Sequence, residues 1–253
     1  MDGAPARHPG GLLHSQRPVH RRGGQRGQDQ ENWPRYDLIW PHLSSSQAAS
    51  GDYEDTRRLL IDRVRYLWNR GEYKEALKSG RDFAERWGRA IGTDHPQTLH
   101  LRFQIANVLR SAGRFQDAYE LDTEIFERQE SLLGGSHPLT LQVAGSIAAD
   151  LRALGRFGEA LAVDEETYHQ LQYTVGPDEP TTLSAANNLA LDLRLAGNFS
   201  RARDIDAETL ADRSRVLGED HAYTLHSMAM LGRDLRELGQ YAESVDLLSA
   251  ALD

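Results

Sequence analysis

Apolar residues along most of this chain recur every three or four positions, which is the spacing of one face of an α-helix. One such row of apolar residues, or stripe, ends shortly before Gly113, and a second stripe follows over residues 115–125. Because glycine readily adopts the left-handed conformation that ends helices, we predict two antiparallel helices joined at Gly113. The first stripe is formed by Leu99, Leu101, Ile105, Ala106 and Leu109.

This two-helix pattern repeats with a period of 42 residues, and the turn motif shows it most clearly. A fixed period of this size is typical of supersecondary units that stack on one another. The predicted fold class is therefore all-α, an α-solenoid of about five helix-turn-helix repeats. The turn motif reads Gly-Glu-Tyr at 71–73, Gly-Arg-Phe at 113–115 and 155–157, Gly-Asn-Phe at 197–199, and Gly-Gln-Tyr at 239–241.

The sequence predicts three parts along the chain. Residues 1–32 are rich in Gly, Arg, Gln and Pro and have few apolar residues, so we expect a disordered leader. Residues 33–52 combine aromatic residues at helical spacing with a Ser/Ala/Gly stretch, which predicts a short helical cap and a linker. The array then occupies residues 53–253, with units near 53–92, 93–134, 135–176, 177–218 and an incomplete 219–253.

The composition of the chain argues against several classes of function. A net charge of −9 argues against nucleic-acid binding, and no apolar run is long enough to predict a membrane span. The chain has no cysteine, which excludes disulfides and fits a cytoplasmic protein. Because no nucleophile–base, phosphate-loop or metal-ligand motif is present, we expect a non-enzymatic protein without cofactor or metal.

Small and aromatic residues around the turn carry a family resemblance. Their spacing resembles the tetratricopeptide repeat (TPR), and the 42-residue period resembles its kinesin-light-chain-type variant. The resemblance implies a right-handed superhelix whose inner wall is made by the first helix of each pair. It also implies binding of a protein or peptide along that wall. The residues concerned are Leu189, Ala190, Leu193, Gly197, Phe199 and Ala202.

The segment 32–43 carries a second resemblance. Asn-Trp-Pro-Arg-Tyr and Trp-Pro-His-Leu within it resemble the junction before the repeat arrays of STAND-type signalling ATPases. The array is also similar to those of actinobacterial proteins associated with FxSxx-type modified peptides. Since no Gly-x-x-x-x-Gly-Lys-Ser/Thr loop is present, the resemblance implies a detached or truncated sensor region, or an accessory binding protein.

One arginine in each of four units defines a column near the end of the first helix: Arg110, Arg152, Arg194 and Arg236. With packed helices ~8–10 Å apart, these guanidinium groups span about 30 Å. That length suits an extended peptide of roughly nine residues. The alternative is a structural charge lattice, in which each arginine pairs with an aspartate of the column Asp122, Asp164 and Asp206. The sequence leaves both alternatives open.

Other candidate groove residues lie on the same helices. The resemblance implies that asparagines clamp the backbone of a bound peptide, since an amide offers both a donor and an acceptor. Apolar residues on this wall either anchor a ligand side chain or shield their neighbours. The positions that differ most between the units of the array are those that carry information about function. The candidates are Asn107, Asn187, Asn188 and Gln104 for the clamp, Phe103 and Leu191 as apolar residues, and Arg233 as a variable position.

The function predicted is a peptide-binding module. Its partner is a protein or peptide ligand, either acidic or ending in a free carboxylate, and neither nucleic acid nor membrane is expected. One alternative is the sensor of a signalling ATPase or an accessory protein of an FxSxx-type system. Another is a self-assembling scaffold, in which the incomplete last unit exposes apolar residues such as Leu247 and Leu252 to a second copy.

Overall fold

The computed structural model of the protein describes residues 38–42 and 53–250, and it contains helices but no strand over these ranges. A short helix, α1, spans residues 38–42. Ten longer helices follow: α2 (Glu54–Asn69), α3 (Tyr73–Ala90), α4 (Pro96–Ser111), α5 (Phe115–Leu133), α6 (Pro138–Ala153), α7 (Phe157–Thr174), α8 (Pro180–Leu195), α9 (Phe199–Leu217), α10 (Ala222–Glu237) and α11 (Tyr241–Ala250).

These ten helices form five consecutive pairs, each an A helix followed by a B helix. Every helix from α2 to α11 packs against its neighbours in the chain. The A helices α2, α4 and α6 also contact the next A helix, and Arg194 of α8 bonds to Asp234 of α10, so the A helices share one face of the array. The predicted fold class is confirmed: the protein is an all-α solenoid of about five helix-turn-helix repeats wound into a right-handed superhelix.

Glycines with a positive φ recur every 21 residues along the array, which is half of the repeat period. Each has a positive φ of 76° to 101°, in the left-handed region that other residues adopt only with strain. At Gly113 and its equivalents the glycine turns an A helix into a B helix, and at Gly134 and its equivalents it leads to the next unit. The set is Gly71, Gly92, Gly113, Gly134, Gly155, Gly176, Gly197, Gly218 and Gly239.

Histidine begins three of the A helices as the N-cap residue. In each case the ring Nδ1 accepts a hydrogen bond of 3.2 Å from the backbone N–H two residues later. This bond satisfies one of the free donors at the helix start. His95, His137 and His221 therefore serve the fold, and a proline follows the first two, where a missing N–H is harmless.

Alanines allow the helices to approach closely within and between pairs. Ala118 on α5 and Ala148 on α6 are fully buried, as are their equivalents in neighbouring units. The first unit adds an aromatic core, in which Phe83 stacks on Trp87. Trp40 of α1 meets Phe83 edge-on at 6.3 Å, so this short helix covers the first unit. The rest of the predicted cap and linker, and the predicted leader, lie outside the described residues.

A pair of glycines three residues apart tests the role of the turn. Replacing Gly155, which has a φ of 78°, with alanine should lower the free energy of unfolding by about 1 kcal/mol, because alanine is strained there. Gly158 lies in α7 with open space around it, so Gly158→Ala should raise stability by about 0.5 kcal/mol. Urea unfolding followed by circular dichroism measures both changes. Equal effects of the two substitutions would contradict the assignment.

Candidate functional site

The shared face of the A helices carries a groove, made of two cavities that meet at Gln142. The N-terminal cavity, of about 310 Å³, lies between α2, α4 and α6. The C-terminal cavity, of about 450 Å³, lies between α6, α8 and α10. Together they place residues from all five A helices along one continuous surface, which we call the groove.

The N-terminal cavity is lined by apolar and polar side chains in about equal number. Phe103 lies on its wall, and Leu132, Leu133 and Leu139 line it while remaining about half exposed. Gln104 is buried, and its Nε2 lies 3.3 Å from Nε2 of His100. Burial, and then the nearby charge of Arg65, lower the pKa of His100. This end of the groove can therefore accept apolar ligand side chains.

The C-terminal cavity combines small and polar residues. Asn188 of α8 lines it, and no described residue hydrogen-bonds to the Asn188 side chain. A Cβ at Gly145 would lie only 3.9 Å from Asn188 Nδ2, so the glycine leaves space beside the amide. Asn188 is the predicted clamp residue that the structure places in a cavity with its amide open to a ligand.

Three arginines of the predicted column lie at junctions between units, each between two aspartates. Arg110 of α4 donates to Asp122 of α5 and to Asp150 of α6, both at 2.6 Å. Arg152 bonds to Asp164 at 2.5 Å and Asp192 at 3.0 Å. Arg194 bonds to Asp206 at 2.5 Å and Asp234 at 3.0 Å. We call these three groups the triads.

The contacts of the triads are those of a structural charge lattice. The Arg110, Arg152 and Arg194 side chains are 20%, 11% and 4% exposed, and their six aspartate partners are fully buried. Arg236 differs, because Leu248 stands where the earlier units have an aspartate, and its side chain is 60% exposed beside Glu237. A ligand ladder along the whole column stays a prediction, and the structure leaves Arg236 as its most accessible member.

The second aspartate of each triad was missed by the sequence reasoning. Asp-Leu-Arg recurs at 150–152, 192–194 and 234–236, so the signal was the repeat itself. Asp150, Asp192 and Asp234 lie one unit after the arginine that they contact, 40 residues along the chain. That contact depends on how successive A helices meet, which the pattern of one unit does not show.

The other predicted groove residues fall in different places. Asn107 is engaged within its own helix, where its Oδ1 accepts a 2.8 Å bond from Arg110. The Asn187 amide faces Arg213 of α9, and we assign its oxygen to that side because a guanidinium group has only donors; in this orientation it accepts from both terminal nitrogens at 2.8 Å. Leu191 is half-buried on α8 and Arg233 is exposed on α10, and neither lines the two cavities. The sequence reasoning did not include Arg213, which lines the C-terminal cavity from a B helix.

The triads hold two carboxyl groups for each cation. Burial raises the pKa of Asp122 to about 8 and of Asp164 and Asp206 to about 7, against the lowering effect of the paired arginine. Burial also raises the pKa of Asp150 and of Asp192. Oδ1 of each B-helix aspartate is buried without a hydrogen-bond donor. One proton held between the two carboxyls of a triad removes its excess negative charge.

Residues 38–42 and 53–250 contain no cluster of three or more His, Asp or Glu side chains that could hold a metal ion. Over the same ranges, no helix is both long and apolar enough to cross a membrane.

These features define a class: helical-repeat proteins made of stacked antiparallel helix pairs with a groove along the first helices. Within it, sequence models described as tetratricopeptide repeat match residues 56–97, 100–169 and 181–253. The matches of one of these models span more than half of the chain. The chain therefore belongs to the tetratricopeptide repeat family, whose members generally mediate protein–protein interactions. No curated protein matches it in sequence.

Solved structures share the fold. The TPR-like repeats of a putative kinesin light chain from Podosopora anserina align with a TM-score of 0.67 and 22% identity, over 79% of this chain and 95% of that chain. BtubC (BKLC) from P. vanneervenii gives 0.68 and 16%, over 87% of each chain. A Rap protein complexed with competence and sporulation factor gives 0.68 and 11%, over 87% of this chain and 58% of that one. At these identities the likeness concerns the fold.

The triads make stability depend on pH. The pKa of each raised aspartate is higher in the folded than in the unfolded chain, so its stabilisation is complete below about pH 4 and is lost as pH rises through 7 to 8. Asp164→Asn keeps an uncharged partner for Arg152 and needs no proton. It should therefore be more stable than the unchanged protein at pH 8, and that advantage should shrink toward pH 5.

The measurement is the urea midpoint of both proteins between pH 5 and 8.5. Each extra bound proton contributes a slope of about 1.4 kcal/mol per pH unit. Comparing the two proteins cancels the opposite effect of His100, whose lowered pKa favours the folded state at higher pH. Asp178→Asn is the control, because Arg215 lowers the pKa of Asp178, so this carboxylate is ionised throughout and its removal changes stability by a constant amount from pH 5 to 8.5. Parallel pH profiles for Asp164→Asn and the unchanged protein would rule out the shared proton.

Proposed function

We propose that this protein is a non-enzymatic binding module that holds an extended peptide segment of a partner protein in the groove. The observation that carries the proposal is the apolar surface left open there. Leu132, Leu133 and Leu139 in the N-terminal cavity, and Val216 and Tyr223 in the C-terminal one, are large side chains that are 42% to 55% exposed. Such a cluster in a concave surface favours a ligand with apolar side chains.

Polar groups in the same groove suit a peptide backbone. Asn188 offers an amide donor and acceptor that no described residue uses, beside the space left by Gly145. The groove crosses five A helices, so an extended segment of about nine residues at ~3.3 Å each spans most of it. The Rap protein of similar fold is complexed with competence and sporulation factor, which supports a ligand-binding role for this architecture.

In this proposal the arginine column has two roles. Arg110, Arg152 and Arg194 hold neighbouring units together, since their charges are already matched by the triad aspartates. Arg236 is exposed and lacks a triad, so it is the member of the column that we assign to a ligand. The side chains of Gln104 and Asn107 are bonded to His100 and Arg110 of the same helix, so we do not assign them to the peptide backbone.

The more specific hypotheses drawn from the sequence stay predictions. They are a sensor region of a STAND-type ATPase, an accessory protein of an FxSxx-type system, and a scaffold that self-associates. Peptide binding in the groove serves the first two equally, whereas the predicted self-association uses the last unit and not the groove. Cytoplasmic localisation is likewise a prediction.

Blocking the groove tests the proposed function. Gly145→Phe introduces into the C-terminal cavity the side chain that Phe103 supplies one unit earlier. The protein, immobilised, is exposed to a pool of about nine-residue peptides of randomised sequence, and retained peptides are identified by mass spectrometry. The unchanged protein should enrich a subset, and Gly145→Phe should lower that enrichment by about tenfold or more.

Gly158→Phe is the matched control, because Gly158 is exposed on a B helix with open space around it. It should retain the same peptides as the unchanged protein. Circular dichroism establishes that both variants remain helical. If Gly145→Phe retained the same peptides as Gly158→Phe, the groove would not be the binding surface, and no enrichment by the unchanged protein would overturn the function itself.

A further inference from the structure

A buried arginine sets the fourth unit apart from the three before it. Arg213 of α9 is 3% exposed, and its guanidinium lies between α8 and α10. The equivalent positions of the earlier units carry uncharged side chains, Trp87, Gln129 and Leu171, all buried. The packing at this position therefore requires no charge, and the cation in the fourth unit calls for another explanation.

The charge of Arg213 has no carboxylate in contact. Its terminal nitrogens donate to the carbonyl oxygens of Leu183 at 3.2 Å and Tyr223 at 3.1 Å, and to Ser227 Oγ at 2.8 Å. Among the described residues no acidic side chain lies within 4.0 Å of it, in contrast to the triad arginines. Asp206 acts on it from farther away but is bound to Arg194 at 2.5 Å. A buried charge without a contacting counter-ion is unfavourable.

Asn187 occupies the position that a counter-ion would take. Its single amide oxygen accepts from both terminal nitrogens of Arg213 at 2.8 Å, whereas a carboxylate would offer each nitrogen an oxygen of its own. An amide oxygen carries no charge, so a carboxylate at the same place would bind more strongly. The cavity of about 450 Å³ beside Arg213 has room for a carboxylate group. Asn188 and Tyr223 also line this cavity.

We propose that the C-terminal cavity is a carboxylate-recognition site, in which Arg213 pairs with an acidic group of the bound peptide and Asn187 gives up its place to it. The inference rests on the proposed function and adds the chemistry of the ligand. The carboxylate belongs either to the C-terminus of the peptide or to an aspartate or glutamate side chain. Arg213 supplies the cation, and Ser227 on α10 continues to accept from its guanidinium group.

Four peptide pools distinguish these two sources. Each contains peptides of about nine residues of randomised sequence, with or without Asp and Glu, and with a free or an amidated C-terminus. The unchanged protein should retain at least one carboxylate-bearing pool about tenfold better than the amidated pool without acids, a difference of about 1.4 kcal/mol. The preferred pool identifies the source of the carboxylate.

Two variants remove the site in different ways. Arg213→Gln follows the buried glutamine that the second unit uses at this position, and it should abolish the preference while peptides without acids are still retained. Asn187→Asp places a carboxylate of the protein against Arg213. It should also abolish the preference, and it should raise the thermal midpoint because the buried charge is now matched. Arg203→Gln, a change of the same kind elsewhere on α9, should keep the preference.

The outcomes separate this inference from the proposed function. Equal retention of all four pools by the unchanged protein overturns the carboxylate site and leaves the groove as a peptide-binding surface. Retention of none overturns both. A preference that survives in Arg213→Gln assigns it to another cation and overturns the role of Arg213. Asn187→Asp keeps the test decisive if Arg213→Gln fails to fold, since a preference that survives in Asn187→Asp likewise overturns the site.

Discussion

One guanidinium shared between two buried carboxylates closes three successive junctions of this array, and the spacing of the groove depends on it. Each arginine extends from an A helix to the B helix of its own unit and to the A helix of the next. Removing the arginine would leave two buried carboxyl groups without their cation, and the loss of a buried partner of this kind costs about 3–5 kcal/mol. Each arginine contacts the aspartate that lies 40 residues later. Because this contact is repeated, successive A helices meet in the same way along the wall of the groove.

The first junction is built differently, and the contrast shows what the triads replace. Trp68, Gly80 and Val108 stand at the three triad positions there. Val108 is fully buried, and Ile105 fills the place of a side chain at Gly80, with its Cγ1 2.9 Å from where a Cβ would be. Trp68 Nε1 donates to Ser111 Oγ at 2.7 Å. An aromatic and aliphatic junction therefore replaces the ionic one, and it has no counterpart of the proton that two triad carboxyls share.

Much of the fold could be predicted because it follows from short periods in the sequence. The helices, the turn at Gly113 and the alanines at close contacts each depend on residues within one unit. The charged contacts could not be predicted in the same way, since the partner of Arg152 lies 40 residues further along the chain, across a helix–helix boundary. Arg213 was not predicted as a groove residue, because the resemblance assigns the inner wall to A helices, whereas this side chain lines the cavity from a B helix.

The groove has a direction as a result of these differences. Four leucines and Phe103 line its N-terminal cavity, where the charged residues on the wall include both signs. In the C-terminal cavity the charge of Arg152 is matched within its triad, and that of Arg213 has no acidic side chain in contact within the described chain. An extended ligand with apolar side chains and one carboxylate would therefore gain most when the carboxylate lies toward α9 and α10. The repeated residues build the groove, and the residues that depart from the repeat give its two ends different chemistry.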